Sequence, residues 1–598
     1  MTLEEVLHAY EDKGKFSILD ISTDLSKLDE KERSRMETKA ELLAMSFSDN
    51  SGKDCWGTYY GPVTTWENKN THQIVYRPDK SDISLLDIDY WSKRAIQTSS
   101  PILRMRYSGL VWDFGKYITG EEPNFIKIKK THIESCIDIL YKDYAEHPVV
   151  GVTIIRHALK KAFSISNKEL VHKAYNTLIQ YTKKYSTDEA PGIWGESMVQ
   201  LTNHLNCFAD YEEAVVGSHE QRFDRLNRAC EENYKSTDKF LHSLRDECEL
   251  LCDYYFKKKD LDNVNCHLDL LLEKIRLFYE LRGSLWSHGM LQMMQSLYRK
   301  YNLNKKANKL FLDIQILGKD VLREMSGQQF TVPLEKEVLD KYFSYYISGS
   351  TEEVLDKYIE QYIPNLAKEK KYQERGDQLT PLLSMIRTVA YDWTGIPINN
   401  IGVGPNAEKQ KLTYGMYTRM LISSGVIEMH IQKMKEKEIY TFEQVYSVIE
   451  KIPFINKEQL PIVRRGLEAY FNKDYISACT ILVTQFEAAI RILAANAGHE
   501  IMRTNNMPEE GNEYASLEKL LFDFLPTDKD QSPDKERIQD IITYFQTLFT
   551  DKFGWNLRNL ICHGLLPASS FNNVMADRIV HAFLTLKMIR LEKAESKV

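Results

Sequence analysis

The chain has 598 residues, of which 43% are apolar and 27% are charged, as in a soluble protein of two to four domains. Its formal net charge of -7 gives no indication of bulk electrostatic attraction to nucleic acid, although a local basic face stays compatible with it. The first residues carry no secretion signal, no apolar run approaches the ~18 residues that span a membrane, and the nine cysteines are an odd, scattered set typical of a reducing compartment. We therefore predict a cytoplasmic protein with no membrane partner.

Residues 1–120 are predicted to form a helical N-terminal region that contains one small β-hairpin. The hairpin is placed at residues 54–78, where aromatic and β-branched residues are bounded by glycine and proline. Farther on, Arg104, Arg106 and Trp112 could line a ligand pocket. The favoured interpretation is instead a helix that packs its apolar residues inward, namely Leu103, Leu110, Val111 and Trp112.

Residues 121–380 contain one amphipathic helical pattern after another, with aromatic and small residues near the helix junctions. No exact repeat period is present, so this region is predicted to be an irregular α-solenoid. Such helical arrays offer concave surfaces, and a protein partner on this region is therefore expected. RNA is a further possibility because of the basic residues at 127–130 and 156–161, although lysines in a solvated face are the commoner explanation of such clusters.

Cys248, Cys252, Cys266 and His267 are residue types that can bind zinc. Cys248 and Cys252 are four residues apart within a helical pattern, and no tight second pair completes four ligands. We therefore predict buried thiols here and no metal site or cofactor.

Residues 381–452 are predicted to be a linker with connecting helices. Glycine and proline break the pattern at 392–405, which suggests a structured loop that could act as a hinge. Gly402-Val-Gly-Pro405 lacks the third glycine and the strand-to-helix context of a dinucleotide site.

Residues 453–598 are predicted to form an antiparallel helical bundle. Helical patterns cover 460–471, 474–496, 538–549 and 573–591, and Ser532-Pro533 has the character of a helix start. Within the second pattern, Glu487 and Arg491 are spaced i,i+4 beside a core stripe, in the favourable order of charges.

The stretch from Asp551 to Gly564 is predicted to be a further helix of this bundle. On a helical wheel, Asn559, Cys562 and His563 lie about 100°, 40° and 140° from Arg558. The opposite arc is apolar and is predicted to be buried, with Leu557, Leu560, Ile561 and Leu565. Arginine binds phosphodiesters and histidine transfers protons near neutral pH, so the polar arc suits phosphate chemistry.

Arg558, Asn559 and His563 on such a helix resemble the Arg-x4-His motif of HEPN domains. The segment around this motif most resembles an uncharacterised, mostly bacterial family that joins a helical N-terminal region to an HEPN-like bundle. The segment reads Trp555-Asn-Leu-Arg-Asn-Leu-Ile-Cys-His-Gly-Leu-Leu566. The resemblance implies a metal-independent endoribonuclease that assembles its site across a homodimer of the C-terminal domain. It also implies a role as a toxin or antiviral defence effector, with the solenoid as sensor or restraint.

Carried onto this chain, the resemblance implies three catalytic residues. Arg558 would stabilise the scissile phosphate, His563 would be the general acid or base, and Asn559 would orient the imidazole. Glu487 and Arg491 would be supporting polar groups from an earlier helix, and RNA would be the substrate.

Two alternatives remain open at the level of sequence. The chain could be a non-catalytic scaffold whose solenoid binds a partner while the bundle dimerises or binds a nucleotide, or it could be an unrelated helical enzyme. In addition, Arg282 and His288 form a second arginine–histidine pair, with one more residue in the spacing. Gly283 follows that arginine and disfavours a regular helix, so we interpret the second pair as a coincidence.

Overall fold

The computed structural model of the chain describes residues 2–590 except 54, 69–72, 121–125, 189–192, 194, 326–334, 385, 403, 505–510 and 527–533. The chain divides into two compact units, Met1–Phe311 and Leu312–Val598. It is 71% helical and its sheets are small and two-stranded, so the predicted all-α fold class is confirmed.

The first unit consists of fourteen helices among its described residues, and a fifteenth crosses its boundary. They are α1 (Leu3–Glu11), α2 (Ile18–Ser26), α3 (Glu30–Ser34), α4 (Met36–Ser46), α5 (Leu85–Gln97), α6 (Pro101–Thr119), α7 (Ile126–Tyr141), α8 (Pro148–Ser164), α9 (Lys168–Tyr185), α10 (Glu196–Asn203), α11 (Glu212–Asn233), α12 (Lys239–Lys257), α13 (Leu261–Leu277), α14 (Tyr279–Lys300) and α15 (Asn304–Glu324). Helices α5 to α9 pack each against the next, and so do α11 to α14. Capping residues fix several starts: a capping box at Ser84 begins α5, and proline occupies the first turn of α6 and α8.

The predicted N-terminal hairpin is present as an antiparallel pair, β3 (Thr64–Glu67) with β4 (Ile74–Arg77). Asp54 and residues 69–72 of the predicted range lie outside the described residues. The earlier half of the predicted range is not part of this hairpin. There β2 (Tyr60–Gly61) pairs with β1 (Ser48–Asp49), which lies before the predicted range.

The arginines of α6 serve the fold of the first unit. Arg106 is 2% exposed, and its Nε donates to the Ala44 carbonyl at 2.8 Å while its other nitrogens bind Phe47 and Asp49. A buried guanidinium satisfied in this way ties α6 to the segment after α4, so the packing interpretation of this stretch fits the structure.

The second unit contains twelve helices after α15 and two further hairpins among its described residues. They are α16 (Lys336–Tyr346), α17 (Thr351–Gln361), α18 (Leu366–Leu379), α19 (Pro381–Ser384), β5 (Thr388–Tyr391), β6 (Pro397–Ile401), α20 (Ala407–Glu436), α21 (Phe442–Ile449), α22 (Leu460–Phe471), α23 (Tyr475–Asn496), β7 (Met502–Thr504), β8 (Asn512–Tyr514), α24 (Leu517–Asp523), α25 (Lys535–Phe549), α26 (Leu557–Cys562) and α27 (Asn573–Thr585). The predicted helix start at Ser532-Pro533 lies outside the described residues.

Helix α27 is the centre of the second unit, because every residue from Met575 to Thr585 is buried. It packs against α17, α20, α21 and α23. Its Arg578 is 1% exposed and donates to the Met420 carbonyl at 2.7 Å and the Tyr362 carbonyl at 3.4 Å. One apolar cluster runs from Phe343 to Leu586, so the predicted bundle from 453 shares its core with helices that precede that position.

The region predicted to be a linker contributes structure to this unit. Within 392–405 the chain forms the turn and second strand of the β5–β6 hairpin, which pairs Thr388 with Ile401. Gly395, at φ +82°, lies so close to Gly318 of α15 that a Cβ on either glycine would collide with the opposite backbone. The hairpin is therefore seated against a helix rather than suspended between domains.

Among the described residues, α23 is the one helix long and apolar enough to cross a membrane. Its apolar side is already used in the core, where Cys479, Leu482, Phe486 and Ile490 are buried. Packing against α22, α24, α26 and α27 accounts for this composition.

Candidate functional site

The loop before α26 is fixed by backbone contacts to α25. The Trp555 amide donates to the Thr547 carbonyl at 2.7 Å, and the Asp551 carboxylate accepts from the Phe553 amide at 2.9 Å. A Cβ at Gly554 would lie 2.2 Å from the Thr547 carbonyl oxygen, so only glycine allows this approach. The loop thereby sets the direction in which α26 begins.

Helix α26 is much shorter than the helix predicted from Asp551 to Gly564. It begins at Leu557, because Asn556 adopts a left-handed conformation with φ 51°. It ends at Cys562, because Gly564 has φ +66° and the chain reverses there. The Leu565 amide donates to the Leu560 carbonyl at 2.8 Å, as in a Schellman motif.

This reversal corrects part of the predicted buried arc. Leu557 and Ile561 are 2% and 9% exposed, as expected, but Leu560 is only partly buried and Leu565 is 53% exposed. Leu565 leaves the helical wheel because the helix has already ended. The polar arc is accessible, with Cys562 and His563 exposed and Arg558 half-buried.

Arg558, Glu487 and Arg491 form one charged cluster between α26 and α23. The Arg558 Nε donates to Glu487 Oε2 at 2.8 Å, and the Arg491 Nη2 donates to Glu487 Oε1 at 2.9 Å. The Glu487 hydrogen bond raises the pKa of Arg558 above its usual value. The structure therefore brings together the three charged residues that the sequence singled out, with one carboxylate and two guanidinium groups.

Asn559 has different neighbours from those predicted. Its Oδ1 accepts from Arg558 Nη1 at 3.2 Å, and its Nδ2 donates to Asn556 Oδ1 at 2.7 Å. The amide thus holds the guanidinium and the start of the helix. Among the described residues, no hydrogen bond joins this amide to the imidazole of His563, so its role in orienting that ring stays a prediction.

His563 occupies the C-cap of α26, with its backbone amide donating to the Asn559 carbonyl at 3.1 Å. Its exposed imidazole lies one residue before the chain reversal, where it can reach a ligand in solvent. The neighbouring Cys562 is exposed as well, and partial burial of its sulfur raises the pKa of the thiol, which argues against a thiolate nucleophile.

Two hairpins that the sequence did not predict border this site. On one side, the Trp393 indole nitrogen of the β5–β6 turn donates to the Leu565 carbonyl at 2.9 Å, and Asn399 binds the Lys552 carbonyl. On the other side, Arg491 Nη1 donates to the Ala515 carbonyl at 2.8 Å, directly after β8. The glycines and prolines at 392–405 predict a structured loop between the solenoid and the bundle, and they are the sequence signal for the turn of the first hairpin.

The remaining candidates belong to the packing of the first unit. Cys248 and Cys252 are buried with their sulfurs 3.9 Å apart, and Cys266 is exposed. His267 pairs with Glu220 at 3.0 Å. In the described part of the chain, no group of three or more His, Cys, Asp or Glu side chains is arranged to hold a metal ion.

The second arginine–histidine pair is not a site. Gly283 has φ 78° and kinks α14 between the two residues, and His288 is fully buried. Arg282 forms an ion pair with Asp238 at 3.3 Å. These features agree with the interpretation of this pair as a coincidence of sequence.

Comparisons with protein-family models, with curated proteins and with solved structures find no match to this chain. The class of protein is therefore inferred from the site itself: a mainly helical unit that presents a guanidinium, its partner carboxylate and an exposed imidazole on one short helix.

Proposed function

We propose that the second unit is a metal-independent endoribonuclease of the HEPN type. The observation that carries this proposal is the arrangement at α26, where Arg558 is held by Glu487 and His563 stands exposed at the end of the same short helix. A fixed cation and an accessible proton-transfer group are the two functions that phosphodiester cleavage needs from a protein.

In the proposed reaction the ribose 2′-oxygen attacks the adjacent phosphorus, and the bond from phosphorus to the 5′-oxygen breaks. The products are a 2′,3′-cyclic phosphate and a 5′-hydroxyl end. Arg558 stabilises the charge that develops on the phosphoryl oxygens, and His563 moves a proton to or from one of the reacting oxygens. Asn559 and Glu487 position the guanidinium.

One chain supplies one exposed imidazole to this reaction, whereas removal of the 2′-proton and protonation of the leaving oxygen call for two proton transfers. We therefore include in the proposal a homodimer through the second unit, in which a second copy brings its own Arg558 and His563. Two-fold symmetry would place the same surface of both copies face to face.

The direct test is incubation of the purified chain with a labelled single-stranded RNA in the presence of a chelator. The expected result is cleavage to cyclic-phosphate ends, lost in His563→Ala and in Arg558→Ala. Cleavage that stops with chelator and returns with added magnesium would reject the mechanism. A dimer seen by analytical ultracentrifugation would support the assembly, and a monomer at every concentration would oppose it.

The first unit is proposed to restrain or trigger this activity, because an unregulated ribonuclease in the cytoplasm would damage its own cell. A fragment starting at 453 would lose α17 and α20, to which Arg578 of α27 is bonded. A fragment starting at Asn304 keeps α15 and the whole apolar cluster. We expect residues 304–598 to be more toxic on expression than the full chain, and the same fragment with His563→Ala to be harmless.

A non-catalytic scaffold is the second candidate, and one observation favours it. The Arg558 guanidinium is already engaged by Glu487 and Asn559, as in a structural ion pair. In that case the chain would dimerise or bind a nucleotide without cleaving RNA, and Arg558→Ala would lower stability in the absence of any activity.

A further inference from the structure

Two exposed aromatic side chains lie on the hairpins that are bonded to the candidate site, Trp393 through Leu565 and Tyr514 through Arg491. Trp393, in the β5–β6 turn, is 58% exposed, and Tyr514, at the end of β8, is 66% exposed. Large aromatic residues lose favourable burial when they are left in solvent. Their placement on the two hairpins that border the site suggests a ligand with flat apolar faces.

Trp393 is held in place rather than merely exposed. Its indole nitrogen donates to the Leu565 carbonyl, two residues after His563. The turn beneath it is tightened by Asp392, whose Oδ1 accepts from the Thr394 amide at 2.9 Å and the Ile396 amide at 2.8 Å. Gly395 then seats this turn against Gly318. The indole is consequently fixed against the backbone that follows His563.

Tyr514 is joined to the opposite end of the cluster. The Arg491 guanidinium lies over the Tyr514 ring at 4.9 Å from its centroid, and the same guanidinium binds Glu487. β8 pairs with β7 through Tyr514 and Met502, which fixes the backbone of the tyrosine. Contacts therefore link Tyr514, Arg491, Glu487 and Arg558 in that order.

We infer that the substrate is single-stranded RNA, and that bases on the two sides of the reacting phosphate stack on Trp393 and Tyr514. This inference rests on the proposed function for the reaction itself. A site that combines arginine side chains with exposed aromatic rings on its two hairpins suits a strand whose phosphates bind arginine while its bases turn outward onto the rings. Bases within a duplex are paired and stacked on each other, so they are not free to make these contacts.

The test measures binding in the His563→Ala protein, so that cleavage does not interfere. The probe is a fluorescein-labelled, unstructured 12-nucleotide RNA, alone or annealed to its complement, and the readout is fluorescence anisotropy. Trp393→Ala and Tyr514→Ala are each expected to raise the Kd for the single strand about tenfold, the usual loss for one stacked base. Affinity for the duplex should change little.

Two conservative variants and one control separate stacking from damage to the fold. Trp393→Phe and Tyr514→Phe keep a ring and should retain most of the affinity, although Trp393→Phe loses the bond to Leu565. Tyr345 of α16 is also 66% exposed but has no contact with the cluster, and Tyr345→Ala should bind as the parent does. Thermal melting of each variant establishes that it is folded.

The outcomes distinguish this inference from the proposed nuclease. Unchanged affinity in both alanine variants, or an equal loss in Tyr345→Ala, would overturn the stacking inference and would point to a protein partner for these rings. If the wild type binds single-stranded RNA through Trp393 and Tyr514 but never cleaves it, the nuclease proposal fails and the stacking inference stands.

Discussion

Arg282 with His288 and Arg558 with His563 are two arginine–histidine pairs of nearly equal spacing in the two units of one chain. In the first pair the glycine lies between the residues, and the left-handed Gly283 kinks α14 so that His288 is buried. In the second pair the glycine follows the histidine, and Gly564 turns the chain away after α26 has placed both residues.

The two pairs differ more in the residues around them than in their sequence spacing. Arg282 has a surface partner, Asp238, while Arg558 shares the half-buried Glu487 with Arg491. A shared carboxylate leaves the cluster with a net positive charge, which favours an anion such as phosphate. We therefore expect a catalytic role for the second pair and a structural role for the first.

The largest expected effect is on RNA cleavage. His563→Ala should lower the cleavage rate by about 10²–10⁴-fold, the usual contribution of a general acid or base, because the imidazole is exposed beside Arg558. His288→Ala should leave the rate per folded molecule unchanged. Single-turnover cleavage of a labelled RNA measures both rates. Equal rates for His563→Ala and the wild type would show that His563 is not a catalytic residue.

The second largest effect on the cleavage rate is expected when each arginine is replaced by lysine, and it should differ between the two pairs. Arg558→Lys is expected to lower cleavage by about 10²-fold or more, because an ammonium cannot reproduce the planar, multiple hydrogen bonds to a phosphate and to Glu487. Arg282→Lys keeps a surface charge beside Asp238 and should have no effect. A comparable loss in both variants would mean that the effect is one of folding, which circular dichroism would show.

Stability should respond to the buried side of α26 and not to the residue beyond its end. Ile561→Ala removes a buried side chain and should lower the free energy of unfolding by about 2–4 kcal/mol. Leu565→Ala, at an exposed position, should change it by less than about 0.5 kcal/mol. Urea unfolding measures both values, and equal losses would contradict the helix end observed at Gly564.

The sequence predicted those features that depend on local periodicity and charge spacing. The all-helical class and the Glu487–Arg491 spacing are of this kind, and both are present. The length of α26 was wrong because the left-handed Asn556 and the approach of Gly554 to Thr547 depend on tertiary contacts that a helical wheel does not contain.

The hairpins beside the site could not be predicted for a related reason. β5 has one exposed residue followed by three half-buried ones and β8 is fully exposed, so neither shows the alternation of buried and exposed residues that marks a strand. β6 alternates, but only over five residues. Trp393 becomes part of the site only through its bond to Leu565, which lies 172 residues away in the chain. A contact between residues so far apart in the chain leaves no pattern in the local sequence.

The smallest expected effect is on the pH dependence of stability. Burial lowers the pKa of His288 below its usual value, so the folded protein holds this imidazole neutral. The unfolded chain takes up the proton near pH 6.5, and the folded chain does so only at a lower pH. The stability that this histidine contributes is therefore present above pH 6.5 and is lost as the pH falls below it.

The measurement compares melting temperatures of wild type, His288→Gln and His563→Gln between pH 7.5 and pH 5. Glutamine keeps a polar amide but does not titrate, so the wild type should lose melting temperature relative to His288→Gln as the pH falls. His563→Gln replaces an exposed imidazole and controls for the loss of a histidine as such. If the wild type lost melting temperature equally relative to both variants, the loss would not come from the burial of His288, and the contrast between the pairs would fail.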